Sequence, residues 1–238
     1  MQWTLVVPLK PLARAKSRLS DTAADGLRPG LALAFAQDTV AAALACPAVK
    51  DVAVVTDDAQ AGRELGALGA HIVPDEPGGG LNAALAHAAA VVRASRPDSA
   101  VAALNADLPA LRPLELARVL DSAAEFPRAF LPDAAEIGTT LLAAAPGHEL
   151  RPAFGTDSRA RHRESGAMEL DLGEVDSVRQ DVDTGEDLRA ALALGVGPRT
   201  AAAAARLLID EQQLPRPIGA RGTARPAPTA PHPKHDPS

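Results

Sequence analysis

Residues 4–9, TLVVPL, form a short apolar run that ends in a basic, proline-containing loop. Such a run, bounded by turn residues, is typical of a buried β-strand. A second run, DVAVVT at residues 51–56, follows a helical pattern over residues 31–45. Apolar strands that alternate with helices indicate a parallel sheet covered on both faces. We therefore expect an α/β protein with a mostly parallel sheet, a Rossmann-like, doubly wound three-layer α/β/α sandwich.

The same alternation continues along the chain to about Leu214. The patterns predict further helices at residues 59–68, 81–94, 113–125, 157–165, 184–194 and 199–212. They predict further strands at residues 71–73, 101–105, 128–131, 139–144 and 178–183. Ligands of such folds bind outside the carboxyl ends of the strands, so functional residues are expected at that edge.

The composition limits the class of protein. The chain has 238 residues, a net charge of −6 and 2% aromatic residues, which argues against nucleic-acid binding. No run approaches ~20 apolar residues, so no membrane span is expected, and the single Cys46 fits a reducing cytoplasm. Residues 1–214 are predicted to form one domain. Residues 215–238, which are rich in proline, are predicted to form a disordered tail. The sequence does not indicate an oligomeric state.

Two segments could bind the phosphates or the base of a nucleotide. The loop after the first strand contains Lys10, Lys16 and Arg18, which could hold a triphosphate by charge and hydrogen bonds. The glycine run 78–80 leads into a helix, where Gly80 would allow close approach and Asn82 could contact a base or a ribose. The alternatives are a solvated basic turn for the first segment and a flexible surface loop for the second.

Three aspartates point to a divalent cation. Asp107 follows a buried strand, where a desolvated carboxylate needs a cation. Asp181 and Asp183 flank Val182, and in an extended strand both would face the same side. Adjacent carboxylates repel each other unless a cation lies between them, and Mg²⁺ prefers oxygen ligands. The alternative is that each is a turn or cap aspartate. Thr184 is predicted to cap the next helix, with Asp187 as its capping-box partner.

A third group of residues could bind an anion. Residues 154–158, FGTDS, precede a predicted helix, and Gly155 would let backbone N–H groups approach a ligand. The segment Gly138-Thr139-Thr140 offers hydroxyl groups to the same region. Four charged or titratable side chains follow on the helix, and solvation is the expected state of each one: Arg159, Arg161, His162 and Arg163.

Together these motifs resemble a known family, the guanylyltransferases of deazaflavin coenzyme F420 biosynthesis, within the nucleotide-diphospho-sugar transferase-like sandwich superfamily. The resemblance spans roughly residues 3–200. The motifs that carry it are PLKPLARAKSRL, GLNAAL, NADLPAL, GTTLL, FGTDSRARHRESGA and DVDTGEDLRAALALGVGPRT. FG-x-DS-x-x-RH followed by DVDT is the most specific part.

The resemblance implies an activity and a set of site residues. Members of this family join GTP to phosphoenolpyruvate, or in archaeal members to 2-phospho-L-lactate, and release pyrophosphate. By the same resemblance, Asp107, Asp181 and Asp183 bind Mg²⁺, and Thr140, Gly155 and Ser158 contact the acceptor. The wider superfamily has a glycine-rich phosphate loop after the first strand. Because this chain has none there, Lys10, Lys16 and Arg18 are expected to hold the phosphates, with Lys16 also catalytic.

Two other functions fit the residues. One is a different nucleotidyltransferase of the same fold, acting on a sugar phosphate or a pterin cofactor. The other is a nucleotide-binding subunit without catalytic activity. We favour phosphoenolpyruvate as the acceptor because the alanine-, arginine- and proline-rich composition is typical of a high-GC bacterium.

Overall fold

The structure, a computed structural model, describes residues 1–14, 27–75 and 78–213. In these ranges strands alternate with helices, as the sequence predicts. The strands are β1 (Trp3–Pro8), β2 (Val49–Val55), β3 (His71–Val73), β4 (Ala100–Leu104), β5 (Arg128–Pro132), β6 (Thr139–Ala144) and β7 (Met168–Glu169). The helices are α1 (Arg28–Leu44), α2 (Ala59–Gly66), α3 (Leu81–Ser95), α4 (Pro113–Ala123), α5 (Ser158–Glu164), α6 (Asp176–Arg179), α7 (Gly185–Leu194) and α8 (Pro198–Gln213), with a 3₁₀ turn at Leu12–Arg14.

The strands form one sheet in the order β3-β2-β1-β4-β6-β5-β7. Parallel pairs join β1 to β2 and β4, β2 to β3, and β5 to β7. Strand β6 is antiparallel to both of its neighbours. The sheet is thus mostly parallel, which confirms the expected fold class. Because β1 lies between β2 and β4, the chain order reverses there, and ligands bind at such a switch point.

Buried side chains cover both faces of the sheet. On one face, α1, α2 and α4 pack on residues such as Leu5, Val52 and Leu104. On the other face, α3 packs on Val6, Val101 and other residues of the central strands. A third cluster joins α1 to α7 and includes Phe35 and Val182, both fully buried. This third cluster places the segment 181–183 against the carboxyl edge of the sheet.

A hairpin reverses the chain between β5 and β6. The carboxylate of Asp133 accepts the backbone N–H groups of Ile137 at 3.0 Å and Gly138 at 2.8 Å. A Cβ atom at position 138 would overlap with Asp133 Oδ2, so this tight turn requires glycine. The hairpin therefore brings the first residues of β6, rather than its last, to the carboxyl edge of the parallel strands.

The predicted strand at residues 178–183 is wrong. Residues 176–179 form α6, and residues 180–183 are irregular. The apolar residues Val175, Val178 and Val182 are all buried, and their spacing of three and four residues is a helical period. Val182 is buried, whereas Asp181 is half-buried and Asp183 is exposed. The expected alternation of buried and exposed side chains is therefore present, although these residues do not form a strand.

The predicted tail, residues 215–238, lies outside the described residues, and so do Lys16 and Arg18. Within the described ranges, none of the helices has the length and apolarity needed to cross a bilayer.

Candidate active site

A cavity of about 660 Å³ opens at the carboxyl edge of β1 and β4. Residues from several segments line it: Pro8, Leu9, Lys10, Ala32, Leu81, Asn105, Ala106, Asp107, Asp133, Ile137, Gly138, Thr139, Phe154, Gly155, Thr156, Asp157, Ser158, Asp181 and Asp183. The structure thus brings together six of the predicted site residues: Lys10, Asp107, Gly155, Ser158, Asp181 and Asp183. Gly80, Asn82 and Thr140 do not line this cavity.

The basic loop leaves β1 next to α2. The backbone N–H of Leu12 donates to Asp58 Oδ2 at 2.9 Å, and Asp58 also caps α2. Hydrogen bonds from the N–H groups of Ala61 and Leu12 lower the pKa of the Asp58 carboxyl. Asp58 therefore fixes the start of the loop that presents exposed Lys10 to the cavity. This role was not predicted from the sequence, although an aspartate between a buried strand and a helix is a recognisable cap.

The segments that carry the aspartates are joined by hydrogen bonds. The N–H of Val182 donates to the carbonyl oxygen of Asp107 at 3.0 Å. Asn105 Nδ2 lies 3.5 Å from Asp181 Oδ2. Asp107, Asp181 and Asp183 therefore border the same cavity although they are far apart in the chain. Asn105 lies in the motif NADLPAL, yet it was not predicted as a site residue.

The predicted cap of α7 is confirmed. Thr184 Oγ1 accepts the N–H of Asp187, and the Asp187 carboxylate accepts the N–H of Thr184 at 2.7 Å. The same carboxylate accepts the N–H of Asp183 at 3.1 Å. This capping box fixes the backbone of Asp183 beside the cavity.

Carboxylate oxygens are the donors that Mg²⁺ prefers, so the donor set suits that ion. In residues 1–14, 27–75 and 78–213, however, no group of three His, Cys, Asp or Glu side chains is arranged to hold a metal ion. Mg²⁺ commonly takes only one or two protein carboxylates together with substrate phosphates. Because no three such side chains of the described residues meet around one point, the aspartates fit a site to which substrate phosphates supply further ligands, rather than one fully formed by the protein.

Residues 153–158, which we call the 153–158 turn, form one wall of the cavity. Gly155 has a φ of +112°, a conformation that glycine adopts without strain, and Asp157 is left-handed with a φ of 54°. The N–H of Ser158 donates to the Gly155 carbonyl at 3.1 Å. This amide, which was predicted to be available to an anion, is therefore used within the turn.

His162 lies beneath this turn. It is fully buried, so the expected solvation is wrong for this residue. Its Nε2 accepts the N–H of Ala153 at 2.9 Å, and its Nδ1 lies 2.9 Å from Thr139 Oγ1. Because Nε2 accepts, the ring is neutral and Nδ1 carries the proton that is donated to Thr139. Burial lowers the pKa of His162 to about 4, and the nearby positive charges of Arg128 and Arg161 act in the same direction.

The arginines of α5 make contacts within the protein. Arg159 pairs with Glu169 at 2.7 Å, and Arg163 pairs with the same carboxylate. Arg161 Nη2 donates to the carbonyl of Phe154 at 3.0 Å. These side chains hold α5 and the 153–158 turn in place, and none of the three lines the cavity.

Thr140 and Asn82 have different surroundings from those expected. Thr140 is fully buried, and its hydroxyl has no hydrogen-bond partner among the residues that the structure describes. The neighbouring Thr139 lines the cavity instead. Both polar groups of the Asn82 side chain bond to the backbone of Phe154. Gly80, with a φ of +86°, is the N-cap residue that precedes α3. Their contacts with a ligand stay predictions.

Comparison with known proteins relates most of the chain to one family. Residues 3–210 match the family model described as "Guanylyl transferase CofC like". A phosphoenolpyruvate guanylyltransferase of Streptomyces avermitilis is 85% identical over 213 residues, covering 90% of this chain and 99% of that protein.

Solved structures support the fold. A nucleotidyl transferase from Methanothermobacter thermautotroptrophicus has a TM-score of 0.57 and 22% identity, covering 81% of this chain and 97% of that one. A CMP:2-keto-3-deoxy-manno-octonic acid synthetase complexed with CTP has a TM-score of 0.53 and 18% identity, covering 82% and 98%. At these identities the likeness concerns the fold alone.

Proposed function

The chain belongs to the family described as guanylyl transferase CofC like, and we propose that it joins GTP to phosphoenolpyruvate and releases pyrophosphate. The product would be enolpyruvyl-diphospho-guanosine. The name of the Streptomyces avermitilis relative supports the choice of acceptor. As part of the same proposal, the reaction serves coenzyme F420 biosynthesis, which the sequence motifs imply.

One observation carries the proposal. A single cavity at the switch point of the sheet combines the cation of Lys10, the carboxylates of Asp107, Asp181 and Asp183, and the turn that contains Gly155. Its volume of about 660 Å³ is in the range of small-molecule sites. Cations and carboxylates together suit a reaction between two phosphate-bearing substrates.

The nucleophile needs no base from the protein. A phosphate monoester has a second pKa of about 6, so the acceptor phosphate is already ionised at neutral pH. One of its oxygens attacks the α-phosphorus of GTP and forms the new P–O bond. The bond from the α-phosphorus to the oxygen that bridges to the β-phosphorus breaks, and pyrophosphate leaves with that electron pair.

The main obstacle is repulsion between two polyanions. Lys10 would stabilise negative charge on the nucleotide phosphates, together with Lys16 and Arg18 of the same loop. Gly80 is proposed on the nucleotide side, whereas both polar groups of the Asn82 side chain bond to Phe154. Thr140, Gly155 and Ser158 are proposed to bind the acceptor, and Gly155 and Ser158 line the cavity. Holding both substrates in line lowers the entropic part of the barrier.

We propose that Asp107, Asp181 and Asp183 hold Mg²⁺ when substrate is present. Bound Mg²⁺ would supply charge neutralisation and orientation of phosphate oxygens. The protein's own contribution is to hold these carboxylates at one wall of the cavity, through the link between Val182 and Asp107 and the capping box of α7.

The test measures pyrophosphate release from GTP and Mg²⁺ with three acceptors in parallel. The acceptors are phosphoenolpyruvate, 2-phospho-L-lactate and a sugar 1-phosphate. We expect release with phosphoenolpyruvate to exceed release with the others, and GTP to exceed ATP and CTP. Mass spectrometry of the product identifies the new diphosphate.

Two results would contradict the proposal. Faster release with the sugar phosphate would indicate another nucleotidyltransferase of this fold. GTP binding without release under any condition would indicate a binding subunit. Preference for 2-phospho-L-lactate would keep the reaction type and change the acceptor.

A further inference from the structure

The side chain of Asn82 makes two hydrogen bonds to one residue that is distant in the chain. Asn82 Oδ1 accepts the N–H of Phe154 at 2.8 Å, and Asn82 Nδ2 donates to the carbonyl of Phe154 at 3.1 Å. Asn82 lies in the first turn of α3, shortly after Gly80. The amide thus joins the start of α3 to the 153–158 turn at the wall of the cavity.

The turn is held mainly by side chains at this point. His162 accepts the N–H of Ala153, and Arg161 donates to the same Phe154 carbonyl that Asn82 uses. Of these three side chains, His162 and Arg161 lie on α5, which follows the turn directly. Asn82 lies in α3, so it is the one of these three side chains that joins the turn to a helix other than α5. Without Asn82, the turn would keep the side-chain hydrogen bonds from its own helix and the packing of the Phe154 side chain in the core cluster on this face of the sheet.

The contacts of Asn82 disfavour direct recognition of a nucleotide. Both the carbonyl and the amino group of its side chain already bond to Phe154, and Asn82 does not line the cavity. Its neighbours in space do line it, namely Leu81, Phe154 and Gly155. Asn82 therefore lies next to residues that line the cavity but does not line it itself.

We propose that Asn82 is a positioning residue, which sets the place of the 153–158 turn and thereby the affinity for the phosphorylated acceptor. This inference rests on the proposed function, in which Gly155 and Ser158 contact that acceptor. A binding segment that must be ordered again when its ligand binds lowers the affinity, because the cost of ordering is subtracted from the binding free energy. The effect of losing Asn82 should accordingly fall on the acceptor rather than on GTP.

The experiment compares Asn82→Ala and Asn82→Asp with the wild-type protein. Asp keeps the shape and the acceptor oxygen but cannot donate to the Phe154 carbonyl. Steady-state pyrophosphate release gives separate KM values for GTP and phosphoenolpyruvate. We expect the KM for phosphoenolpyruvate to rise roughly 10- to 100-fold in both variants, while the KM for GTP changes less than about twofold. Amide hydrogen exchange at Phe154 should become faster in Asn82→Ala, which removes the acceptor of that N–H, and should change less in Asn82→Asp, which keeps it.

Ser95→Ala serves as the matched control. Ser95 lies in the last turn of the same helix, and its hydroxyl donates to the Val92 carbonyl at 2.9 Å. Its removal deletes a side-chain hydrogen bond of α3 far from the 153–158 turn, so both KM values should stay at the wild-type level.

The inference would be overturned by a raised KM for GTP with an unchanged KM for phosphoenolpyruvate, because Asn82 would then contact the nucleotide. It would also be overturned if neither KM changed, or if neither variant folded, because a positioning role requires the native fold to survive. Absence of pyrophosphate release by the wild-type protein would instead overturn the proposed function, so the two failures are distinguishable.

Discussion

The hydroxyl of Thr39 accepts the backbone N–H of Leu108 at 3.0 Å and donates to the Phe35 carbonyl at 2.8 Å. Thr39 and Leu108 are both fully buried. One side chain of α1 therefore fixes the residue that follows Asp107, and the position of that aspartate depends on a contact beneath the cavity.

Replacing Thr39 tests this contact. Thr39→Val keeps the volume but leaves the buried N–H of Leu108 without its partner, which should lower the free energy of unfolding by about 1–3 kcal/mol. Urea denaturation measures the change. Thr39→Ser retains the hydroxyl and should lower the free energy of unfolding much less. Equal losses in the two variants would show that the hydrogen bond is not the cause.

Asp183→Asn tests the carboxylate wall. The substitution keeps the size of the side chain and removes its charge, so we expect the rate of pyrophosphate release to fall by roughly 100-fold or more. Circular dichroism should show the native fold. Asp176→Asn, at an exposed position of α6 outside the cavity, is the control and should keep the wild-type rate. A folded Asp183→Asn protein with near-normal turnover would reject the assignment.

Stability should depend on pH through His162. Its pKa is about 4 in the folded protein and near 6.5 when unfolded. Between these values the unfolded chain binds more protons, so stability falls as the pH drops from 6.5 toward 4 and this contribution levels off below. The full contribution is roughly 3 kcal/mol.

The measurement for His162 is the free energy of unfolding at several pH values. His162→Gln should show a flatter profile between pH 4 and pH 6.5, although it is less stable at neutral pH. His148→Gln, at an exposed position, should follow the wild-type profile. Parallel profiles for wild type and His162→Gln would contradict the buried, neutral state.

Replacing Gly197 and Gly30 by alanine should change the stability of the protein in opposite directions. A Cβ at position 197 would overlap with the carboxyl group of Asp38, which accepts the N–H of Thr200 at 2.7 Å at the start of α8. Gly197→Ala should therefore lower the melting temperature. Gly30 lies in α1, and a methyl group there would meet nothing within 4 Å, so Gly30→Ala should gain up to about 1 kcal/mol. Calorimetry measures the melting temperature of both variants and shows whether each is higher or lower than that of the wild type.

Deleting residues 216–238 should leave both the melting temperature and the rate unchanged. The segment is rich in proline and lacks apolar periodicity, a composition that predicts too little buried surface to offset the entropy of ordering. A large loss of either quantity would show that the tail contributes to the folded enzyme.

Much of the fold follows from local patterns. The apolar runs that became β1, β2 and β4 and the helical repeats of α1 and α3 are strong signals, because continuous apolar strands occur in sheets buried on both faces. The direction of β6 could not be predicted, since it depends on the turn that Asp133 builds. The prediction of a strand at residues 178–183 was wrong because two aspartates around one valine resemble the alternation of a strand. The buried residues Val175 and Val178 instead have the spacing of a helix.

The site was predictable in place but not in its internal contacts. The switch-point rule predicted functional residues at one edge of the sheet, and Lys10, Asp107, Asp181 and Asp183 all line the cavity there. The partners of Asn82 and His162 could not be predicted. Asn82 and Phe154 are separated by 72 residues. A local sequence pattern does not indicate which distant backbone group a side-chain amide will bond to.

The reversed strand β6 has a practical consequence for redesign. Its hairpin, residues 133–138, contributes Asp133, Ile137 and Gly138 to the rim of the cavity, and Ile137 is 59% exposed. Lengthening or shortening this connection would widen or narrow the entrance while every strand kept its neighbours. Engineering toward bulkier or smaller acids should therefore begin with the length of this hairpin rather than with the carboxylates.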